Sequence, residues 1–231
     1  MRHLLARLVD FLAPRICPVC GNRMGIQEKT CCVQCYLDLP VTGFEQHPDD
    51  NSMAEMFYGI IPFEKAVAMY FYKKGNKTAK IVEQFKYHNR PQLAVEMGRI
   101  CAQRLLPTGF FEQIDCLVPV PLARKRQRQR GYNQSMMLAR GIAKETGLPV
   151  VGGVIVRKKF KQSQTRLSRM QRNENTANAF QLAGGTLLAG KHILLIDDVV
   201  TTGATLIACA EAALQAPDVR LNLLALAMTH D

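Results

Sequence analysis

The stretch spanning residues 192–214, HILLIDDVVTTGATLIACAEAAL, constrains this chain more than any other. It opens on an unbroken apolar run, the pattern of a strand covered on both faces. Two adjacent carboxylates, Asp197 and Asp198, end the strand, a Thr/Gly turn follows, and residues 204–215 carry helical spacing. A strand hidden on both sides and fed straight into a helix requires a sheet with helices packed over it. In such sheets a ligand sits beyond the carboxyl ends of the strands, where the two acids and the turn fall.

The turn, Thr201, Thr202, Gly203, Ala204 and Thr205, stands at a helix N-terminus. Backbone N–H groups there lack intrahelical acceptors and the helix dipole favours an anion, so a phosphate suits the position. The threonine hydroxyls add donors, and Gly203 lets the main chain approach a phosphate closely. Asp197 and Asp198, about one sugar's length away, suit vicinal hydroxyls and Mg²⁺, held directly or through water. The competing reading makes them a helix-capping pair after an ordinary core strand. The sequence contains neither a GxxxxGK[ST] phosphate loop nor a GxGxxG dinucleotide motif.

The rest of the chain alternates in the same way. Residues 57–72 read as two strand-like segments around 62–65. TAKIVEQFKYH has helical spacing at Ile81, Phe85 and His88, and a second helix over 91–106 opens on Pro91 and stops before Pro107. Then come a strand DCLVPVP, a helix over 133–147 closed by Gly147, a strand VVGGVIV, a basic polar stretch, and, after the central unit, a last strand VRLNLLALAM. This predicts an α/β fold, a mostly parallel twisted sheet flanked by helices. At 231 residues and 48% hydrophobic content, one full core plus a small appendage is expected. In MRHLLARLVDFLAP, Arg7 and Asp10 interrupt the apolar run before a signal core or membrane span can form. We read a short amphipathic helix in a cytoplasmic protein without membrane insertion.

Charge is unevenly distributed. Of the net +11, residues 119–175 hold 14 Lys and Arg against Glu145 and Glu174, giving +12 and leaving −1 for the remainder. Such a field favours a polyanion: a pyrophosphate, a nucleotide or a nucleic-acid backbone. A merely solubilising surface intersperses both signs. The segment VPVPLARKRQRQRGYNQS carries Arg124, Lys125, Arg126, Arg128 and Arg130 between a strand and a helix beginning near Asn133. Residues 157–177 are polar throughout and long for a loop without a task.

Eight cysteines in a chain read as cytosolic call for metal or packing rather than disulfides. Cys17-x-x-Cys20 and Cys32-x-x-Cys35, eleven residues apart, suit four thiolates around a structural Zn²⁺. Cys31 is an alternative to Cys32, and a redox pair or core cysteines are alternatives to the metal. Cys101, Cys116 and Cys209 lie singly on apolar elements as small hydrophobes. The five histidines show no ligand spacing with the knuckles.

ILLIDDVVTTGAT closely resembles the phosphoribosyl pyrophosphate (PRPP) signature of type I phosphoribosyltransferases. CPVC, CVQCYLDLP, VPVPLARKRQRQRGYNQS and DDVVTTGAT, in that order, resemble the ComF competence family over nearly the whole chain. The resemblance implies a zinc-binding module with the N-terminal helix over 1–40 and a transferase-like unit over 41–231. Within the latter, 55–110 would supply a hood and leading helices, and 115–231 the core sheet. It further implies that Asp197 and Asp198 are the catalytic pair and bind the ribose hydroxyls, that residues 201–205 bind the 5′-phosphate, and that Mg²⁺ accompanies PRPP. Arg124 and Lys125 would belong to the pyrophosphate loop, and Arg157, Lys159, Lys161 and Arg166 to a mobile lid over it. Implied partners are single-stranded DNA and a DNA-uptake helicase or membrane-channel component.

Two functions fit. One is a transferase moving the phosphoribosyl group to a nitrogen acceptor, with catalysis by electrostatic positioning. The other is a PRPP-binding module that holds single-stranded DNA during natural transformation through Arg126, Arg128 and Arg130. Phe57, Tyr58, Phe63, Tyr70, Phe71, Tyr72, Phe85 and Tyr87 are candidates for base stacking or, alternatively, core residues.

Overall fold

A computed structural model describes residues 14–158 and 179–229. The apolar runs become strands β1 (Lys65–Tyr72), β2 (Cys116–Pro119), β3 (Ile155–Arg157), β4 (Phe180–Leu182), β5 (His192–Val200) and β6 (Arg220–Thr229). The amphipathic and alanine-rich runs become helices α1 (Val33–Leu37), α2 (Lys77–Tyr87), α3 (Pro91–Leu105), α4 (Arg124–Arg130), α5 (Gln134–Thr146), α6 (Gly185–Leu188) and α7 (Ala204–Ala213). β1, β6, β5 and β2 lie side by side in that order, all parallel, while β3 and β4 form a separate antiparallel pair.

Because successive strand residues face opposite ways, the sheet feeds two cores. Val67, Leu117, Leu194, Ile196 and Leu224 join residues of α2, α3 and α5 in one buried cluster. Ala66, Val118, Ile193, Leu195 and Leu223 join α7 and the turn around Met53 and Phe57 in the other. α3 and α5 cross backbone against backbone: a Cβ at Gly98 would lie 2.1 Å from the Leu138 carbonyl oxygen, and one at Gly141 2.0 Å from that of Val95. This close crossing fixes where the α5 N-terminus meets the sheet. Cys17, Val19, Met24, Cys35 and Leu39 belong to the same buried cluster as Tyr70 and Phe85, and Lys80 Nζ donates to the Val19 carbonyl at 3.3 Å.

Several elements depart from expectation. Only Lys65–Tyr72 of residues 57–72 is a strand; the earlier part is turn and bend, and a 3₁₀ segment at Ala54–Met56 precedes it. The basic run, read as a connection before the helix near Asn133, is itself helical. Arg, Lys and Gln lose little side-chain freedom in a helix, and Gly131, at φ 78°, closes it. VVGGVIV keeps only its end as β3, since Gly153 at φ 80° interrupts extended backbone. β3 then pairs with β4, a strand too short to be signalled by periodicity. β5 runs through both aspartates to Val200 rather than ending at them. Phe57, Tyr70 and Phe85 are fully buried core residues, whereas Tyr58 and Tyr87 are exposed. None of the described helices is long and apolar enough to cross a membrane. The anticipated N-terminal helix lies outside the described residues, apart from Pro14.

Candidate functional site

β5 is an interior strand, and its register with β6, Asp197 opposite Ala225, brings both aspartates to the carboxyl edge of the sheet. Asp197 is buried, and its Oδ1 accepts from Ser135 Oγ at 3.1 Å and from the Asp198 N–H at 2.8 Å. Burial, and then the neighbouring Asp198 charge, outweigh these donors and push the Asp197 carboxyl up to about 7. Asp198 is held differently: its Oδ2 lies 2.9 Å from Lys86 Nζ, at the last turn of α2. One carboxyl is therefore poised near neutrality and the other is ion-paired.

The turn after β5 packs against the core from below. Gly203 takes φ 72°, and a Cβ there would lie 3.1 Å from the Phe57 ring, so both conformation and space favour glycine. No side chain caps α7, which leaves its first N–H groups for an external acceptor. Asp197, Thr201, Thr202, Gly203, Ala204 and Thr205 share the lining of a small cavity of about 30 Å³. Thr201 and Thr202 are exposed, and Thr229 Oγ1 approaches the Thr201 carbonyl at 3.5 Å.

α4 divides the basic run between two faces. Arg124 joins Arg140, Arg157 and Lys158 around a cavity of about 1030 Å³. Arg126, Arg128 and Arg130 join Lys86, Tyr87 and Asn89 around a cleft of about 890 Å³ whose lining contains no acid. The Arg130 guanidinium sits 5.2 Å above the Tyr87 ring, and the Tyr132 hydroxyl donates to the Phe85 carbonyl, tying the α4–α5 connection to α2. Burial, and then the like charge of Arg126, lower the Arg157 pKa, and its guanidinium lies 5.2 Å over the Phe180 ring. Lys125 is exposed on α4 and lines neither space. Lys159, Lys161 and Arg166 lie outside the described residues.

The thiols of Cys17, Cys20, Cys32 and Cys35 lie within 4.8 Å of one another, with Cys20 and Cys32 Sγ 3.6 Å apart. A tetrahedral thiolate site with bonds of about 2.3 Å has edges of about 3.8 Å, so the four can hold a metal ion such as zinc. At Cys17, burial raises the pKa, but the backbone N–H groups of Cys32, Cys20 and Val19 outweigh it and bring the thiol to about 7. Cys31 stands apart from the cluster, and burial pushes it up to about 11; it remains a protonated thiol, and Cys32 is the fourth member.

Lys86, Ser135 and Arg140 have no counterpart among the residues singled out from the sequence, and Phe57, singled out there for stacking or the core, is buried and packs under the turn. Ser135 lies within the quoted GYNQS motif, in the first turn of α5, and could have been noticed there. Lys86 is one of three lysines on the amphipathic helix α2, and only folding brings it to Asp198.

The family model for the phosphoribosyl transferase domain matches residues 132–226. The DNA utilization protein YhgH of Salmonella typhimurium is 30% identical over 87% of this chain and 84% of its own length. Competence protein F of Haemophilus influenzae is 30% identical over 54% of this chain and 57% of its own. The chain belongs to the ComF family. Glutamine PRPP amidotransferase from B. subtilis has a TM-score of 0.41 at 18% identity, over 61% of this chain and 30% of that one. Within the ComF chain, the matched domain takes in α5, β5 and α7 together, and so both aspartates and the turn.

Proposed function

We propose that this ComF-family protein binds PRPP with Mg²⁺ at Asp197–Thr205 and uses its basic cleft to hold single-stranded DNA during natural transformation. The observation that carries the first part is the pairing of two carboxylates with an uncapped helix N-terminus at the end of an interior parallel strand. In this reading the N–H groups of residues 203–205 and the Thr201 and Thr202 hydroxyls receive the 5′-phosphate, and Asp197 and Asp198 accept from the ribose hydroxyls. The same carboxylates are oxygen donors suited to Mg²⁺, which supplies charge neutralisation for the pyrophosphate. In this reading Arg124 and Arg157, which line one cavity with Arg140 and Lys158, would receive the pyrophosphate end as fixed cations. Lys125, Lys159, Lys161 and Arg166 remain proposed cations of the loop and lid.

The DNA part rests on Arg126, Arg128, Arg130 and Lys86 lining one acid-free cleft beside the exposed Tyr87. A cationic groove with an aromatic face suits single strands, whose phosphates and bases it meets together. The names of the relatives, a DNA utilization protein and a competence protein, point the same way. In this reading the zinc-bound knuckle of residues 1–40 braces α2 beside the unit of 41–231. The protein acts in the cytoplasm beside a DNA-uptake helicase or channel component. The cations around Arg124 also favour a second reading, in which pyrophosphate leaves as an acceptor nitrogen attacks the sugar.

Calorimetric titration of PRPP with Mg²⁺ into the wild type and the Asp197→Asn/Asp198→Asn double variant tests this. Binding by the wild type alone supports the site, and no binding by the wild type refutes it. Pyrophosphate release with candidate acceptors assigns turnover, and its absence leaves the binding module.

A further inference from the structure

Lys86 belongs to both halves of the site. Its Nζ lies 2.9 Å from Asp198 Oδ2, with both side chains largely buried, at 18% and 13% exposure. It also lines the cleft formed with Arg126, Arg128 and Arg130. α2 and the α4–α5 connection that frame this cleft are tied by the bond from the Tyr132 hydroxyl to the Phe85 carbonyl. The cation at the end of the lysine stem is thus the movable part between two fixed walls, since four rotatable carbons carry it. One ammonium cannot give its full interaction to Asp198 and to a phosphate in the cleft together.

We propose that Lys86 couples the two sites, so that a ligand on the aspartate pair releases Lys86 to the cleft and strengthens its hold on single-stranded DNA. The inference rests on the functional reading above, and deepens it by naming how one site regulates the other. Sugar hydroxyls and Mg²⁺ at Asp197 and Asp198 take over the Asp198 oxygen that Lys86 occupies, and a cation bound there also repels the ammonium. The freed charge adds one phosphate contact to those of Arg126, Arg128 and Arg130. By linkage the effect is reciprocal: DNA in the cleft draws Lys86 off Asp198 and tightens PRPP by the same factor. One added contact to a single strand corresponds to a salt slope steeper by about 0.7, or about fivefold in affinity at 0.1 M salt.

The test is fluorescence anisotropy of a labelled 20-mer of oligo-dT with the full chain, in Mg²⁺ alone and in Mg²⁺ with PRPP, at matched ionic strength. The wild type should bind about fivefold tighter with PRPP, with the slope steepened by about 0.7. Lys86→Met should show no response to PRPP, and Lys86→Arg should restore it. Asp198→Asn, which frees Lys86 without any ligand, should bind the oligonucleotide about fivefold tighter from the outset. Each ligand is first titrated singly. Failure of either to bind overturns the functional reading and the coupling with it. If both bind, the coupling alone is overturned by unchanged or weakened oligonucleotide binding with PRPP, by a wild-type response in Lys86→Met, or by no gain in Asp198→Asn.

Discussion

Replacing Asp197 with Asn should stabilise the fold while destroying the site. The Asp197 carboxyl titrates at about 7 rather than 3.8, chiefly through burial and secondly through Asp198. The folded protein therefore holds this proton more firmly than the unfolded chain does. Stability falls as pH rises from about 4 to 7, and the whole cost is present above that. A displacement of about three units, at about 1.4 kcal/mol each, sets a ceiling on the order of 4 kcal/mol at pH 8. The amide keeps an acceptor for Ser135 and for the Asp198 N–H but carries no charge to desolvate. At about 2–4 °C per kcal/mol for a chain of this size, the midpoint of thermal unfolding should rise at pH 8, by up to about 8–16 °C at that ceiling. At pH 5, about one unit above the unfolded value of 3.8, only about a third of that cost is present, and the rise should be smaller in proportion. Circular dichroism melts of both proteins at the two pH values measure this, with PRPP and Mg²⁺ stabilising only the wild type. A midpoint that does not rise at pH 8, or that rises equally at pH 5, would refute the account of Asp197 as a buried, function-serving charge.

Gly98→Ala drives a methyl into the Leu138 carbonyl and should cost about 2 kcal/mol or more in urea unfolding. Gly152→Ala, whose Cβ meets only the Met136 terminal methyl at 2.6 Å, should cost under about 1 kcal/mol. Elemental analysis should find zinc at one equivalent per chain in the wild type and in Cys31→Ser, with loss in Cys32→Ser. Charge reversal at Arg126, Arg128 and Arg130 together should flatten the salt dependence of oligonucleotide affinity by about 2, three contacts at about 0.7 each. It should leave PRPP affinity within about twofold, since these side chains line the cleft and not the turn.

The central unit was legible because its signals are local and agree: an apolar run, two acids, a Thr/Gly turn and a helix, all within residues 192–214. The spacing of the cysteine knuckles was equally legible, and three-dimensional proximity then separates Cys32 from Cys31. The place of Lys125 in the basic run was not. From sequence, Arg124 and Lys125 read as one group apart from Arg126, Arg128 and Arg130; the helical repeat of α4 does turn Arg124 toward one cavity and the other three arginines toward another, but Lys125 lines neither. The ion pair of Lys86 with Asp198 and the hydrogen bond from Ser135 to Asp197 join residues far apart in the chain, and no periodicity encodes them. Nor did spacing reveal the shared contact of Gly98 and Gly141, where two helix backbones meet and which sets the height of α5 against β5.

The most direct measurement is amide NMR of the ¹⁵N-labelled chain during titration with PRPP and Mg²⁺. The account predicts that the largest shifts fall on residues 201–205 and on Asp197 and Asp198, and saturate with the calorimetric affinity. Shifts confined to the cavity of Arg124, Arg140 and Arg157, with the turn unmoved, would contradict it.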